Sequence, residues 1–348
     1  MVHRLRIGIV GYGFSTVTFH APLILNVPGL ELVAISSRDP AKVHASLPQV
    51  ETCNTPEALF ARPDIDLVVI PTPNETHYPL AVKALNAGKH VVVDKPFTLD
   101  VAEASDLITR ARQAGLLLSV FHNRRWDADF LTIRQILASG GLGRLTHFES
   151  HFDRYRPEVP NRWRDSGDRG SGLWYDLGAH LLDQTLCLFG LPQTISLDLA
   201  RQRDGARADD WFHAILQYDS LRVVLHASAL VADVGPRFVL HGTQGSFTKY
   251  GLDPQEEALK AGVKPGSTGW GHDPLPGVLT LRGEGGLIRK NYEGVPGDYP
   301  HYYAGLRDAV LQGQPNPVPA TEALQVMRLM ELGRAGASEG RVMPCGSK

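Results

Sequence analysis

The chain has 348 residues, of which 43% are hydrophobic and 21% charged, and its formal net charge is −2. A chain of this length is too long to fold around one ordinary hydrophobic core, so we expect a globular protein of two domains. The near-neutral charge argues against a nucleic-acid or membrane-surface partner, and no apolar run approaches the ~20 residues needed to cross a bilayer.

Cysteine usage and the first residues indicate the compartment. The three cysteines, Cys53, Cys187 and Cys345, are unevenly spaced and form neither a disulfide framework nor a zinc pattern. The first residues lead directly into a strand pattern and leave no room for a signal peptide. We therefore expect a cytoplasmic protein.

Strand and helix patterns alternate from Arg4 to about Asn123. The strand segments are short, rich in Val, Ile and Leu, and lack polar alternation, as in parallel strands covered on both faces. They are 5–10, 30–36, 67–71, 90–94 and 116–121. Helices are predicted at 76–87 and at 101–114, the latter capped by Asp100 and ended by Gly115. This order predicts an α/β fold whose N-terminal domain, residues 1–123, is a Rossmann-type doubly wound parallel sheet.

Residues 124–348 follow a different pattern, typical of an α+β domain with a large, mostly antiparallel open sheet. A helix is predicted to about Ser139, another from about Leu173 to Phe189, and two more near 299–312 and 320–335. Strands are predicted at 145–152, 194–200, 211–218, 221–230 and 236–241. The Gly/Pro-rich residues 251–277 are expected to form a long loop. We expect this domain to bind substrate and to form oligomers.

A glycine-rich turn follows the first strand. Gly11 permits a tight turn, and Gly13 lets the backbone approach a pyrophosphate at the N-terminus of the next helix. Thr16 stands where a third glycine or alanine is usual, so helix and strand are expected to pack slightly farther apart. We expect dinucleotide binding by this turn, including Phe14 and Ser15; the alternative is a plain turn.

The end of the second strand bears on the choice of nicotinamide cofactor. NAD enzymes commonly place Asp or Glu there to accept from the ribose 2′-hydroxyl. This chain has Ser36, Ser37 and Arg38, which suit a 2′-phosphate because the guanidinium makes bidentate, charge-assisted bonds. We therefore expect NADP(H) to be preferred over NAD(H); alternatively, Arg38 is a solvated loop residue that pairs with Asp39.

The loop after the 67–71 strand reads PTPNETH. Its prolines hold the backbone extended at the edge of the sheet where a cofactor binds. Pro71, Thr72, Asn74 and His77 are candidate cofactor contacts, although Asn74 and His77 have capping of the next helix as an equally plausible role.

Lys95 follows the 90–94 strand, whose end lies near the nicotinamide in this topology. A lysine at that position can donate to a substrate oxygen and stabilise its alkoxide character during hydride transfer. Pro96 fixes the turn, and Asp94 precedes the lysine as a further candidate cofactor contact. The alternative is a surface lysine beside Asp94.

Asp176 and His180 lie four residues apart on a predicted helix and hence on one face. Asp176 could position the substrate while His180 exchanges the hydroxyl proton, and Asp183 could orient the imidazole. A lone histidine on a helix is more often structural. A metal bound by Asp, His and Asp is a further alternative, but no additional His or Cys cluster supports it, so we predict no metal.

Two polar, aromatic segments lie between these motifs. Their arginines and ring faces could line a pocket for a polyhydroxylated substrate or could equally form interdomain salt bridges. The candidate substrate contacts are His122, Arg124, Arg125, Trp126, Asp153, Arg156, Trp163 and, beside Asp176, Tyr175.

Taken together, GIVGYGF, PTPNETH, the Lys-Pro pair and Asp-x-x-x-His resemble the glucose–fructose oxidoreductase/inositol dehydrogenase (Gfo/Idh/MocA) family over nearly the whole length. The resemblance implies a catalytic set of Lys95, Asp176 and His180, a site between the domains, and an open C-terminal sheet that pairs subunits. The family usually has Glu-Lys-Pro where this chain has Asp94. The segments KPFT, FHNRRWD, SHFDRYRP and WYDLGAHLLD most resemble a bacterial branch similar to NADP-dependent scyllo-inositol dehydrogenases.

These features predict an NADP(H)-dependent oxidoreductase that interconverts a secondary alcohol and a ketone on a cyclic polyol or sugar, with scyllo-inositol as the first candidate. We expect a homodimer or homotetramer formed through the C-terminal sheet. One alternative is a non-catalytic NAD(P)-binding sensor of the same fold. Another is redox-assisted glycoside cleavage with a tightly held cofactor.

Overall fold

Short apolar strands and amphipathic helices form two sheets with their covering helices. The computed structural model describes residues 4–346, except for the side chain of Trp163. The strands are β1 (Leu5–Val10), β2 (Leu30–Ser36), β3 (Glu51–Cys53), β4 (Leu67–Ile70), β5 (His90–Val93), β6 (Leu118–Val120), β7 (Leu145–His151), β8 (Thr194–Ala200), β9 (Trp211–Gln217), β10 (Arg222–Ser228), β11 (Phe238–Gly242), β12 (Gly245–Lys249), β13 (Gly277–Gly283), β14 (Gly286–Tyr292) and β15 (Met343–Pro344).

Ten α-helices occur among the described residues. They are α1 (Ala21–Asn26), α2 (Pro40–His44), α3 (Pro56–Phe60), α4 (His77–Asn86), α5 (Val101–Ala114), α6 (Ala128–Ala138), α7 (Ala179–Phe189), α8 (Gln255–Lys260), α9 (Pro300–Gln312) and α10 (Ala320–Glu339). Two π-helical turns, Thr16–His20 and Trp174–Gly178, lead into α1 and α7. Over residues 4–346, every helix is too short or too polar to span a bilayer.

The first sheet has six strands in the order β3-β2-β1-β4-β5-β6, and all neighbouring strands are parallel. This is the order of a doubly wound nucleotide-binding fold, as predicted. The four residues of β4 are completely buried, which accounts for their uninterrupted apolar sequence. The carboxyl ends of these strands therefore share one edge, where a cofactor binds in such sheets.

The second sheet has nine strands in the order β14-β13-β12-β11-β7-β10-β9-β8-β15. Only β7 and β10 pair in parallel among its neighbouring strands, so the sheet is mostly antiparallel, as expected. Alternate side chains such as Phe148, Phe212 and Phe238 are buried against a core that includes residues of α7 and α10. The intervening residues of β7, β9 and β10 are largely half-buried and form the other face.

Tertiary contacts divide the described chain into two units. The first contains residues 4–126, 254–270 and 298–325, and the second contains 127–253, 271–297 and 326–346. Two later segments thus join the unit that contains the parallel sheet. The sequence-based domain boundary between residues 123 and 124 remains a prediction.

The structure corrects several predicted elements. Residues 251–277 are not a single loop, because α8 forms within them. The short, polar edge strand β3 and the strands β12, β13 and β14 were not predicted, and β14 is exposed or half-buried throughout, so it lacks an apolar alternation. The helix predicted from 173 to 189 begins as a π-helical turn, so Asp176 and His180 do not lie on one regular α-helix.

Candidate active site

The glycine-rich turn has the geometry that its sequence requires. Gly11 has φ +88°, a left-handed conformation that favours glycine, and its amide donates to the Ser36 carbonyl at 2.8 Å. A Cβ on Gly13 would have no heavy atom of the described chain within 4 Å. A ligand backbone can therefore approach Gly13 closely, which fits a pyrophosphate at this turn.

The turn continues into the Thr16–His20 π-helical turn. Thr16 is buried and its hydroxyl donates to the Gly11 carbonyl at 2.8 Å, which gives a hydrogen-bonding role to the residue that replaces the usual small one. The Phe14 ring is 58% exposed and lies 5.9 Å from the Lys260 ammonium of α8. π-helical turns occur frequently at functional sites.

Arg38 is exposed at the end of β2, and within residues 4–346 it makes no hydrogen bond or ion pair. The predicted alternative partner, Asp39, instead caps α2 by accepting from the Lys42 amide at 3.0 Å. Ser36 is buried, while the Ser37 hydroxyl accepts from the Asp39 amide at 3.1 Å. The guanidinium of Arg38 is thus available to an anion.

His77 supports two loops from inside the unit. It is completely buried, with Nε2 2.8 Å from the Thr72 carbonyl and Nδ1 2.9 Å from the Pro96 carbonyl. Burial lowers the pKa of His77, and a neutral imidazole donates to only one of these carbonyls. The residue does not cap α4 by a side-chain hydrogen bond, and it joins the 71–77 loop to the lysine turn.

The other residues of that loop are placed as follows. Asn74 is buried and begins a short 3₁₀-helix, whereas Pro71 and Thr72 are half-buried. The Thr76 hydroxyl donates to that of Thr72 at 2.6 Å. These contacts order the loop, and its contacts with a cofactor remain predictions.

Asp94 organises the turn that carries Lys95. Its Oδ2 accepts from the Ser15 hydroxyl at 2.6 Å, and its Oδ1 accepts from the Lys95 amide at 2.8 Å. Burial raises the pKa of Asp94, but the imidazole of His20 and the Ser15 hydroxyl outweigh it and hold that pKa well below 3.8. The glycine-rich turn and the lysine turn are therefore joined through one ionised carboxylate.

His20 and Tyr303 extend this network and were not predicted. The His20 Nε2 lies 3.5 Å from Asp94 Oδ2, and its Nδ1 is 2.6 Å from the Tyr303 hydroxyl. Both side chains are completely buried, and burial raises the pKa of Tyr303 well above its ordinary value. The Tyr303 hydroxyl donates to Nδ1 when the imidazole proton is on Nε2 and accepts from Nδ1 when the proton is there.

The 122–126 segment is buried or half-buried in the same unit. Arg124 pairs with Glu256 at 2.9 Å and Arg125 with Glu322 at 2.6 Å, so both guanidiniums have carboxylate partners within this unit. Trp126 packs edge-on against Tyr302 with ring centroids 5.7 Å apart, and His122 is only 2% exposed. Their contacts with substrate remain predictions.

Asp176 and His180 belong to the second unit. Asp176 is in the π-helical turn, half-buried, and its Oδ1 lies 3.5 Å from the Arg164 Nε. His180 is 5% exposed in the first turn of α7, and Asp183 is 2% exposed on the same helix. A carboxylate, an imidazole and a guanidinium thus occur on adjacent segments of this unit.

A cavity of about 370 Å³ opens in the second unit beside Tyr175. Its charged lining consists of Asp168, Arg169, Arg201, Arg207, Asp209 and Arg334. The Arg334 guanidinium lies 5.2 Å from the centre of the Tyr175 ring. Burial raises the pKa of Asp209. Tyr175 is the predicted site residue that lines this cavity.

The remaining candidate substrate residues are dispersed in the second unit. Asp153 accepts from the Ser228 amide at 3.0 Å, and Arg156 is exposed while its amide donates to the Ala229 carbonyl at 2.7 Å. Trp163 begins a 3₁₀-helix, and its side chain lies outside the described part of the structure. Substrate contacts by these residues remain predictions.

Two family models match this chain. An oxidoreductase-family NAD-binding Rossmann fold matches residues 5–122, and an oxidoreductase-family C-terminal alpha/beta domain matches residues 134–345. The solved structure of an oxidoreductase from Yersinia pestis is 54% identical, with a TM-score of 0.97, and the match covers 100% of this chain and 99% of that one.

Two relatives with similar sequences are also named as an oxidoreductase and a dehydrogenase. The uncharacterized oxidoreductase YdgJ of Escherichia coli K12 is 54% identical over 334 residues, covering 96% of each chain. The scyllo-inositol 2-dehydrogenase (NADP(+)) IolW of Bacillus subtilis 168 is 38% identical over 348 residues, covering 98% of this chain and 96% of IolW. The chain therefore belongs to the Gfo/Idh/MocA family of oxidoreductases, with an NAD-binding Rossmann fold followed by a C-terminal alpha/beta domain.

Proposed function

We propose that this enzyme transfers hydride reversibly between NADP(H) and a secondary alcohol or ketone on a cyclic polyol or sugar. In the oxidative direction the carbinol carbon loses hydride to the cofactor, and the hydroxyl loses its proton to a base on the protein. In the reductive direction the carbonyl carbon of the ketone gains the hydride and its oxygen gains the proton.

One observation carries the proposal: the 2.6 Å hydrogen bond from Ser15 to Asp94. It joins the turn suited to a pyrophosphate to the turn that carries Lys95, at the carboxyl edge of the parallel sheet. A lysine ammonium close to a bound nicotinamide is suited to donate to the oxygen of the reacting carbon.

The family resemblance supports the remaining roles. Lys95 would donate to the substrate oxygen and stabilise its developing negative charge. His180 would accept or return the hydroxyl proton, and Asp176 would position the substrate and the imidazole. NADP(H), when bound, would accept or supply the hydride at C4 of its nicotinamide ring.

The preference for NADP(H) is supported by Arg38. Its guanidinium is exposed at the end of β2, and the carboxylate of Asp39 is engaged in capping α2. A 2′-phosphate would provide the bidentate acceptor that this group suits. The name of the 38% identical IolW, an NADP(+)-dependent enzyme, is consistent with this choice.

The substrate class is supported by the same relative, IolW, which is named a scyllo-inositol 2-dehydrogenase. We propose scyllo-inositol and scyllo-inosose as the first pair to assay. We also propose a cytoplasmic location, domains at residues 1–123 and 124–348, and a homodimer or homotetramer formed through the nine-stranded sheet.

The test is turnover and NADPH binding by a Lys95→Ala variant. We expect NADPH binding, followed by cofactor fluorescence, to stay within about twofold of wild type, while turnover of inosose with NADPH falls by about 10²–10⁴-fold. Lys83→Ala is the matched control, because Lys83 is an exposed lysine of the same unit that pairs with Glu57. Its turnover should equal that of wild type.

Three results would contradict the proposal. Equal turnover in Lys95→Ala would remove the lysine from the mechanism. If the wild-type protein binds NADPH but shows no redox turnover with any member of a broad panel of polyols and ketoses, the alternative of a non-catalytic NAD(P)-binding sensor would be favoured. If the cofactor copurifies with the enzyme and the enzyme cleaves glycosides without net reduction, the alternative of redox-assisted glycoside cleavage would be favoured.

A further inference from the structure

The half-buried face of the nine-stranded sheet carries several histidines and carboxylates. On β7, His147, Glu149 and His151 alternate with buried residues and therefore share this face. His226 of β10 is the register partner of His151 on the adjacent parallel strand. The two imidazole rings lie 5.4 Å apart between centroids, so two nitrogen ligands are adjacent on this face.

Asp153 lies beside both imidazoles. Its Oδ2 is 3.6 Å from His151 Nδ1, and its Oδ1 is 3.4 Å from His226 Nε2. The three residues can each offer one ligand atom such that all three atoms lie within 4.8 Å of one another. The Ser228 amide donates to Asp153 Oδ1 at 3.0 Å and fixes the orientation of the carboxylate.

The separations are long for hydrogen bonds and suited to ligands of one cation. Nitrogen–oxygen hydrogen bonds in proteins measure about 2.7–3.2 Å. Ligands bonded at about 2.0–2.2 Å in a tetrahedral site lie about 3.4 Å apart. The 3.6 Å and 3.4 Å distances around Asp153 are close to that separation; they involve its two different oxygens, of which one or both would bind the ion.

Glu149 prepares His151 for such a role. His151 Nε2 lies 2.9 Å from Glu149 Oε2, and because an ionised carboxylate only accepts, the proton must be on Nε2. The Asp153 and Glu149 carboxylates also raise the pKa of His151, so a metal ion would displace the second proton from Nδ1, the nitrogen that faces Asp153. A carboxylate behind a histidine ligand is the usual outer partner at zinc sites, where it fixes the tautomer and strengthens the ligand.

We propose that His151, Asp153 and His226 bind one divalent transition-metal ion of the Zn²⁺ type, with water at the remaining position. Two imidazoles and one carboxylate suit Zn²⁺ and its first-row neighbours rather than Mg²⁺ or Ca²⁺, which prefer oxygen ligands. The ion would link β7 and β10, and Asp153 would serve the metal rather than the substrate. This proposal is independent of the hydride-transfer mechanism.

The test uses the full-length chain without an affinity tag, dialysed against a chelator and then titrated with Zn²⁺ or Co²⁺. We expect one ion per chain by elemental analysis, and the visible absorption of four-coordinate Co²⁺ that excess Zn²⁺ abolishes. Asp153→Asn keeps an acceptor for the Ser228 amide but removes the anionic ligand, and it should weaken Zn²⁺ binding by at least about tenfold. His226→Gln should abolish the Co²⁺ spectrum.

His147→Gln is the matched control, because His147 lies on the same strand and face and contacts the same Glu149 at 2.6 Å. It should retain stoichiometric metal. The proposal is overturned if the wild-type chain binds less than a tenth of an equivalent at 0.1 mM free Zn²⁺, or if the His147 variant loses metal as fully as the His226 variant. Circular dichroism of each variant identifies any loss caused by misfolding, and in that event the wild-type stoichiometry and Co²⁺ spectrum alone decide.

Discussion

The Ser15 hydroxyl donates to Asp94 Oδ2 at 2.6 Å, so a residue of the glycine-rich turn and the residue before the candidate catalytic lysine share one hydrogen bond. The same carboxylate accepts from the Lys95 amide and lies 3.5 Å from the His20 imidazole. A change at Asp94 should therefore affect both turns. The shorter side chain found where the family usually has glutamate is fully engaged in this unit.

We predict that Asp94→Asn destabilises the protein at neutral pH by about 2–3 kcal/mol, because a neutral amide cannot replace a carboxylate that accepts from several donors. The folded-state pKa of Asp94 is held well below its ordinary value of 3.8. Its stabilising contribution is thus fully present above about pH 4 and is lost as the pH falls toward the folded-state pKa.

Urea unfolding of wild type and Asp94→Asn at a series of pH values between 7 and 3 measures this effect. The difference between the two midpoints should be constant from pH 7 to 5 and should shrink below pH 4. Glu75→Gln provides a control, since Glu75 is an exposed carboxylate of the same unit, and its midpoint should equal that of wild type throughout this range. A difference that persists unchanged at pH 3 would show that Asp94 does not act through its charge.

Arg38→Ala tests the choice of cofactor. We expect NADP(H) affinity to fall by about 10–100-fold, the loss of one or two charge-assisted hydrogen bonds, while NAD(H) affinity stays the same. Both affinities can be measured by titration of cofactor fluorescence. Arg110→Ala, which removes a half-buried arginine of α5 that pairs with Asp106, should leave both unchanged. An unaltered ratio of NADP to NAD affinity in Arg38→Ala would disprove the proposed role of the β2 end.

Much of the fold could be predicted from the sequence because apolar strand segments and amphipathic helices are recognisable from short stretches of residues. The apolar segments that became β1, β2, β4 and β5 are buried on both faces, and their alternation with helices determines the class of sheet. The later strands β12, β13 and β14 lack this signal, since glycine begins each of them. The β11–β12 and β13–β14 pairings are local hairpins, whereas β12 pairs with β13 across a long intervening segment, for example Gly245 with Leu281.

The site residues that lie in contiguous motifs could be predicted from the sequence. Those that the fold brings together from distant parts of the chain could not. Gly11, Gly13 and Lys95 occur in short motifs with a direct physical reading. His20 and Tyr303 are 283 residues apart in sequence and meet only in the folded unit, so no spacing pattern indicates the contact. The same holds for His151, Asp153 and His226, which require the register of β7 against β10.

Asp100 tests the predicted start of α5. Its Oδ1 accepts from the Glu103 amide at 2.8 Å, as expected of an N-cap, and Glu103 Oε2 accepts in return from the Leu99 amide at 3.2 Å. We predict that Asp100→Ala lowers the free energy of unfolding by about 1 kcal/mol and that Asp100→Asn changes it by only a few tenths. Denaturant unfolding followed by circular dichroism measures both. Equal losses in the two variants would contradict a capping role.

His180 tests the second half of the proposed mechanism. If its imidazole exchanges the substrate proton, His180→Gln should lower turnover in both directions by about 10²–10⁴-fold, while NADPH affinity remains unchanged. Asp183→Asn should cause a smaller loss, because Asp183 is proposed to orient the imidazole rather than to contact substrate. Added imidazole should partly restore turnover of a smaller His180→Gly variant but not of Lys95→Ala.

The matched control for this prediction is His241→Gln, which alters an exposed histidine of β11 in the same unit. Steady-state kinetics with inosose and NADPH separate the expected fall in kcat from any change in KM. A variant at His180 that loses substrate affinity but keeps wild-type kcat would assign this residue to binding. Proton transfer would then need another group, and Asp176, the other ionisable residue of the family motif in this unit, would be the next to substitute.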